Sequence, residues 1–213
     1  MITLALTSCN RLDLLDETIK SFLDHDTSGL ISRRIISEDS GYPEVIDLVS
    51  KKYPEFEVFG PIPRLGQVVT IDRMYSMIET PYIFHCEDDW RFTRSGFIEK
   101  SWAILEANKQ VLQVHLRGPT DLNGHPVEPT VFDDIFRMLA INHIGNPGFS
   151  WNPGLRRLQD YKLLGSYSQY LKEHLIGRDY SQRGFGAAVL LDRYVDHIGG
   201  GRRTPRRRCA QHR

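Results

Sequence analysis

Thr80-Pro81-Tyr82-Ile83-Phe84-His85-Cys86-Glu87-Asp88-Asp89-Trp90 is the stretch whose reading decides the fold. Behind Pro81, a short run of strand-forming side chains, Tyr82 to His85, leads into three consecutive acids. That pattern is a buried strand with a charged site at its C-terminal tip. Three adjacent carboxylates repel one another unless water or a cation neutralises them. A hard divalent cation held by one or two carboxylates, its other positions filled by phosphate oxygens and water, fits such a set. Read alone, the same acids also make an ordinary surface turn, so the rest of the chain has to decide.

Upstream, Ile2–Thr7 alternates large apolar with small or hydroxylated residues and reads as a first strand. The polar turn Ser8-Cys9-Asn10-Arg11 follows. It leads to a helix whose apolar face is Leu12, Leu15, Ile19, Phe22 and Leu23, with Asn10 or a neighbour as cap. A polar turn at a helix N-terminus can hold an anion through free backbone N–H groups. Arg33–Ser37 is a second strand ending in Glu38-Asp39-Ser40-Gly41, and Pro43 opens a helix with Val45, Ile46, Val49 and Tyr53 inward. Glu57–Phe59 is a third strand. The loop from Gly60 to Gly66 then enters a helix carrying Val68, Ile71, Tyr75 and Ile78 on one face. With Tyr82–His85 as the fourth strand, the order is β-α-β-α-β-α-β, a parallel sheet with helices on both sides. Ligands bind such sheets at the C-terminal strand ends. Three polar clusters, Thr7–Asn10, Glu38–Ser40 and Glu87–Asp89, therefore fall on one edge, and that convergence argues for a site.

Beyond the acids, Ser95 caps a helix holding Ile98, Trp102 and Leu105, and Val111–His115 reads as a strand. Residues 117–135 read as an extended loop that shapes a substrate cleft. Phe136–His143 is a further strand, 158–174 a weakly patterned helical stretch, and short strands fall near Ala187–Leu191 and Tyr194–Ile198. The βα rhythm breaks here, so a mixed sheet is expected.

The 213 residues, 40% hydrophobic and 25% charged, suit one large globular domain or two small ones. No stretch approaches the roughly 20 apolar residues that span a bilayer. The N-terminus lacks the pattern of a signal peptide, so a cytoplasmic setting is expected. Cys9, Cys86 and Cys209 are too scattered for a disulfide framework or a zinc site, and Cys86 reads as a small buried filler. The zero net charge conceals an asymmetry. Six arginines lie in 199–213, leaving 21 basic residues against 27 acidic ones elsewhere, or about −6. A body of that sign is not expected to bind nucleic acid. The basic tail 202–213, after Gly199-Gly200-Gly201, reads as flexible or as the lead into a longer multidomain chain, the alternative being a segment that closes over an anionic ligand.

To about residue 201 the chain resembles the GT-A fold of nucleotide-sugar glycosyltransferases, family-2 type. The landmarks occur in that family's order. Thr7–Arg11 with Leu14–Ile19 is similar to the opening Thr-x-Asn-Arg strand–helix bordering the nucleotide, and Glu38-Asp39-Ser40 to the turn whose acid contacts base or ribose. Arg64-Leu65-Gly66-Gln67 leading to Asp72-Arg73 resembles the segment approaching nucleotide and donor sugar. Glu87-Asp88-Asp89 stands at the Asp-x-Asp metal motif. Phe149–Asn152 with Arg156-Arg157 is similar to a small-residue segment before an Arg-Arg pair. Arg178-Asp179 falls at the Glu-Asp pair carrying the catalytic base, and His197-Ile198-Gly199 matches a late His-x-Gly. The departures are Glu87 as the first metal-motif acid, Gly41 displaced from the nucleotide turn, and Arg178 in place of Glu.

The resemblance implies a Rossmann-like α/β/α sandwich over 1–201, with a parallel nucleotide-binding half (1–90) and a mixed-sheet acceptor half (91–201). It implies transfer of a hexosyl or deoxyhexosyl group from a nucleoside diphosphate sugar, UDP favoured, to a glycan or other hydroxyl acceptor. Mn²⁺ or Mg²⁺ would lie on Asp89, Glu87 and His197. Donor contacts are expected from Thr7, Asn10, Arg11, Asp39, Gly66, Asp72, Arg73, Glu87, Asp88 and Trp151. Asp179 is the expected base, which implies inversion. Trp90 is a second candidate for stacking on a sugar. The competing readings are a sugar-phosphate nucleotidylyltransferase, which needs a glycine-rich loop where Ser8-Cys9-Asn10 stands, and a non-catalytic nucleotide- or sugar-binding module of the same fold.

Overall fold

The computed structural model describes residues 1–140 and 148–202. The elements in order are β1 (Ile2–Ser8), α1 (Leu12–His25), β2 (Ile31–Glu38), α2 (Pro43–Lys52), β3 (Glu57–Phe59), α3 (Gln67–Ser76) and β4 (Tyr82–Glu87). They continue with β5 (Trp90–Phe92), α4 (Phe97–Ala107), β6 (Val111–His115), β7 (Val127–Phe132), β8 (Phe136–Leu139) and β9 (Gly154–Arg157). Last come α5 (Leu158–Leu164), a 3-10 turn (Tyr167–Gln169), α6 (Glu173–Gln182), β10 (Gly186–Leu190) and β11 (Val195–His197). Among the described residues no helix is long and apolar enough to cross a membrane.

The main sheet has the order β3-β2-β1-β4-β9, parallel except for β9, which runs antiparallel to β4. β1 lies at its centre, and every residue of it is buried. Strand periodicity sends alternate side chains to opposite faces. Leu4, Leu6, Ile36 and Phe84 meet α1 and α4 on one side, where Phe22, Phe84, Phe92 and Phe97 interlock with ring centroids 5.0–6.1 Å apart. Ala5, Ile35 and Ile83 face the other layer, with Ile71, Tyr75, Phe149, Trp151, Tyr167 and Tyr180. The second sheet, β6-β10-β8-β7, pairs β6 with β10 in parallel and the rest antiparallel, the mixed sheet expected of the second half. β5 and β11 form a two-stranded ribbon with Trp90 opposite His197.

The structure corrects several sequence expectations. The 117–135 loop contains β7, which hairpins onto β8. Its mostly exposed residues and central Pro129 conceal the strand pattern. β8 ends at Leu139, and the expected continuation over 141–143 lies outside the described residues, as does the tail from 203. Gly177-Arg178-Asp179-Tyr180 lies inside α6, with Gly177 buried on its inner face. β9 is a fully buried strand containing two arginines, an unusual composition for an interior strand. Arg157 is accommodated because its guanidinium donates to the carbonyls of Leu105, Asn108 and Val111 and pairs with Asp160 at 3.0 Å. It thereby serves the orphan carbonyls at the end of α4.

Candidate active site

Register alone assembles the site. Ser8 stands opposite Glu38 and Thr7 opposite Glu87, so the ends of β1, β2 and β4 reach one sheet edge together. There they border an open cleft of about 580 Å³. Thr7, Arg11, Asp39, Glu87, Asp88, Asp89 and His197, all expected from the sequence, line it.

Asp88 is buried and anchors the turn after β1, accepting from Ser8 Oγ at 3.1 Å, from the Cys9 N–H at 3.4 Å and from two nitrogens of Arg11. A third nitrogen of Arg11 lies 2.8 Å from Asp89 Oδ2. Burial lifts the Asp88 carboxyl to about 6 against the opposing pull of Arg11, which leaves the pair ionised at neutral pH. Glu87, at the rim, accepts from Gln67 Nε2 at 2.5 Å. Burial first, then the charges of Asp89 and Asp88, push it up to about 8. Three acids crowded against the single charge of Arg11 hold Glu87 in its protonated form at neutral pH, a crowding that a further cation would relieve.

Asp89 Oδ2 and His197 Nε2 lie 3.5 Å apart, within reach of one cation. Trp90 backs the imidazole with a centroid separation of 4.9 Å. Gly199 packs so closely on the same carboxylate that a Cβ there would lie 2.4 Å from Oδ2. This cradle and its oxygen–nitrogen donor pair fit a divalent cation completed by ligand oxygens and water. Glu87, expected as a third ligand, is turned to Gln67. Among the described residues no three His, Cys, Asp or Glu side chains converge on a closed metal cage.

Other expected contacts go elsewhere. Asn10 is exposed at φ 54°, its N–H donating to Glu38 Oε1 at 2.9 Å. Gly66 starts α3 at φ 92°, and its N–H, like that of Leu65, donates to Asp39 at 2.9 Å. Asp72 faces the 3-10 turn, accepting from Tyr161 and Ser166 hydroxyls and from the Tyr167 and Ser168 N–H groups at 2.8 and 2.7 Å. Arg73 lies over Phe59, 5.8 Å from its centroid. Trp151 is core, edge-on to Phe149 at 4.7 Å, and Trp90 is 2% exposed. Asp179 is outside the cleft, bound by Tyr170 Oη and by Arg183 Nε at 2.9 Å. For Asp72, Arg73 and Asp179 the cause is shared: motif order does not say which helix face a residue occupies. On α3 the cleft side is Gln67 and Thr70.

No protein-family model and no curated sequence matches the chain. Among solved structures, TarS from S. aureus superposes with a TM-score of 0.65 at 13% identity, over 91% of this chain and 36% of TarS. A 1–349 form of TarS in complex with UDP-GlcNAc gives 0.63 at 12%, over 93% and 60%. The mannosyltransferase PcManGT from Pyrobaculum calidifontis, in complex with GDP-Man and Mn²⁺, gives 0.63 at 11%, over 90% and 56%. The fold is of the GT-A type. The chain spans about a third to three fifths of the length of these neighbours.

The GT-A cleft here also contains residues to which sequence reasoning assigned no separate role. Arg64 reaches Asp39 Oδ2 at 3.5 Å across the edge. Its place is legible only in the close approach of Gly41, where a Cβ would meet the Arg64 nitrogen at 2.8 Å. Arg202 closes the cleft from the C-terminal side, doubly bonded to Asp13 at 2.6 and 3.0 Å. Cys9 also lines it, but burial raises its thiol to about 11, so it is no thiolate nucleophile at neutral pH.

Proposed function

We propose that the chain is a glycosyltransferase domain that moves a sugar from a nucleoside diphosphate sugar, UDP favoured, to an acceptor hydroxyl. The observation that carries this reading is the Asp89–His197 pair, cradled by Gly199, on the same sheet edge as Thr7 and Asp39 in a GT-A fold. Asp89 and His197 would hold Mn²⁺ or Mg²⁺, which when bound supplies positive charge for the departing diphosphate. Thr7 and Asp39 bound the end of the cleft suited to the nucleoside. Arg64 and Arg202 bring guanidinium donors to the phosphate side, a geometry matched to phosphate oxygens. Arg11 keeps Asp88 and Asp89 apart from bulk water and oriented. Attack by the acceptor on the sugar face opposite the diphosphate, with one carboxylate as base, gives inversion.

The test is thermal shift with UDP-GlcNAc and GDP-mannose, with and without Mn²⁺, followed by assay of released nucleoside diphosphate. The expected result is Mn²⁺-dependent stabilisation and slow donor hydrolysis, with Asp89→Ala losing the Mn²⁺-dependent part. Stabilisation without any release would favour a binding module, and no stabilisation by either donor would overturn the reading.

A further inference from the structure

A histidine that binds a metal usually has its second ring nitrogen bonded to a carboxylate or carbonyl, which fixes the ring. His197 has no such anchor. Among the described residues the one polar contact of its imidazole is Nε2 to Asp89 Oδ2 at 3.5 Å, and the side chain is 43% exposed. An aromatic face does the holding. Trp90 stands directly opposite His197 in the β5–β11 ribbon, with ring centroids 4.9 Å apart and planes inclined at 50°.

The indole is itself immobilised. Trp90 is buried, and its backbone N–H donates to Thr18 Oγ1 at 3.1 Å. The Arg117 guanidinium lies over the indole, 5.5 Å from the centroid, and its Nε and Nη2 donate to Asp121 at 3.2 and 2.6 Å. Asp121 lies 3.6 Å from Arg193, which pairs with Asp196 at 2.8 Å. Asp196 adjoins His197, so the contacts run from His197 through Trp90, Arg117, Asp121 and Arg193 back to β11. On the cleft side the Ile198 N–H donates to the Asp89 carbonyl at 2.9 Å, which ties β11 to the acid as well. Neither Trp90 nor Arg117 lines the cleft. The buried indole N–H finds no partner among the described residues, so the ring contributes through its face, which attracts the guanidinium and packs on the imidazole. A metal ligand binds best when packing locks its rotamer, because little ordering is then left to be done on binding.

On the metal-dependent reading proposed above, we infer that Trp90, braced by Arg117, is the positioning residue of His197. The stack presets the imidazole toward Asp89, so that a cation meets both donors already oriented. The turn that carries Arg117 and Asp121 thereby acts on the metal site without touching the ligand.

Mn²⁺ and Mg²⁺ are titrated by calorimetry into wild type, Trp90→Phe, Trp90→Met and Arg117→Ala, alone and with UDP or GDP, against protein-free controls. The Mn²⁺ Kd is expected to weaken about tenfold or more in Trp90→Met and about threefold in Arg117→Ala, and to stay within about twofold in Trp90→Phe, which keeps an aromatic face. Mg²⁺, which seeks oxygen ligands, is expected to bind all four proteins alike. That contrast separates a misaligned imidazole from a general loosening of the strand end. An unchanged Mn²⁺ Kd in Arg117→Ala would overturn the inference, even where Trp90→Met failed to fold. Equal weakening of both ions would overturn it too and leave the metal site standing. Failure of wild type to bind Mn²⁺ under any of these conditions would overturn the metal site at Asp89 and His197 and this role of Trp90 together.

Discussion

The Arg11 guanidinium bridges Asp88 and Asp89 while its neighbour Ser8 holds Asp88 from behind, so one acid is fixed and the other is left to face the cleft. That division of labour was half legible. The adjacency of three acids announced a charged strand end, but only the turn geometry separates the buried, fully bonded Asp88 from Asp89 beside His197. Asp72 makes the same point in reverse. Motif order made it a donor contact, yet its carboxylate gathers four donors from the 155–170 region into one cap. Asp72→Ala is therefore expected to cost about 2–4 kcal/mol in urea unfolding and to leave donor Kd by calorimetry unchanged. A weakened Kd with unchanged stability would return Asp72 to the site.

At the scale of elements, the parallel half was readable because each strand and helix carries its own period and the turns between them are short. In the second half β6, β8, β10 and β11 were readable as well, but β7, β9 and α6 were not, since they are held by features with no local signature. β9 has no hydrophobic alternation, and it is a strand because Arg157 finds carbonyl acceptors at the end of α4 and the start of β6. α6 was obscured by Gly177, a poor helix residue tolerated where the helix packs closely on its buried side. Arg157→Ala removes the cation that satisfies those carbonyls and leaves Asp160 buried without its partner. A loss of about 3–5 kcal/mol is expected, measured as a fall in the urea midpoint. A shift below 1 kcal/mol would mean that water replaces the guanidinium and that β9 is held by packing alone.

Across the whole molecule the two faces of the main sheet differ in kind, and this sets how the fold meets acid. The α1/α4 face is aromatic and aliphatic. The α3 face buries His85 between Tyr75 and Trp151 with neither nitrogen bonded, and β6 buries His115 with Nε2 at 2.8 Å from the Gly148 carbonyl. Burial lowers His115 to about 4 and His85 well below the ordinary imidazole range. An unfolded imidazole titrates near about 6.5. Between the folded and unfolded values the unfolded chain binds more protons, so this contribution is fully present above about pH 6.5 and is lost as pH falls toward 4. The cleft acids Glu87 and Asp88 are raised instead, take up protons at higher pH in the folded than in the unfolded chain, and titrate in the opposite sense. The wild-type profile alone therefore mixes two signs, whereas a difference between variants does not. His115→Gln, which can keep a bond to Gly148, and His85→Phe, which suits an aromatic pocket, should each gain on wild type as pH drops below about 6.5. The expected gain is about 1.4 kcal/mol per pH unit per residue. Urea unfolding at half-unit steps from pH 7.5 to 5 reads this directly. A pH-independent difference would show that these imidazoles titrate in the folded chain as they do in the unfolded one, and that burial does not hold them neutral.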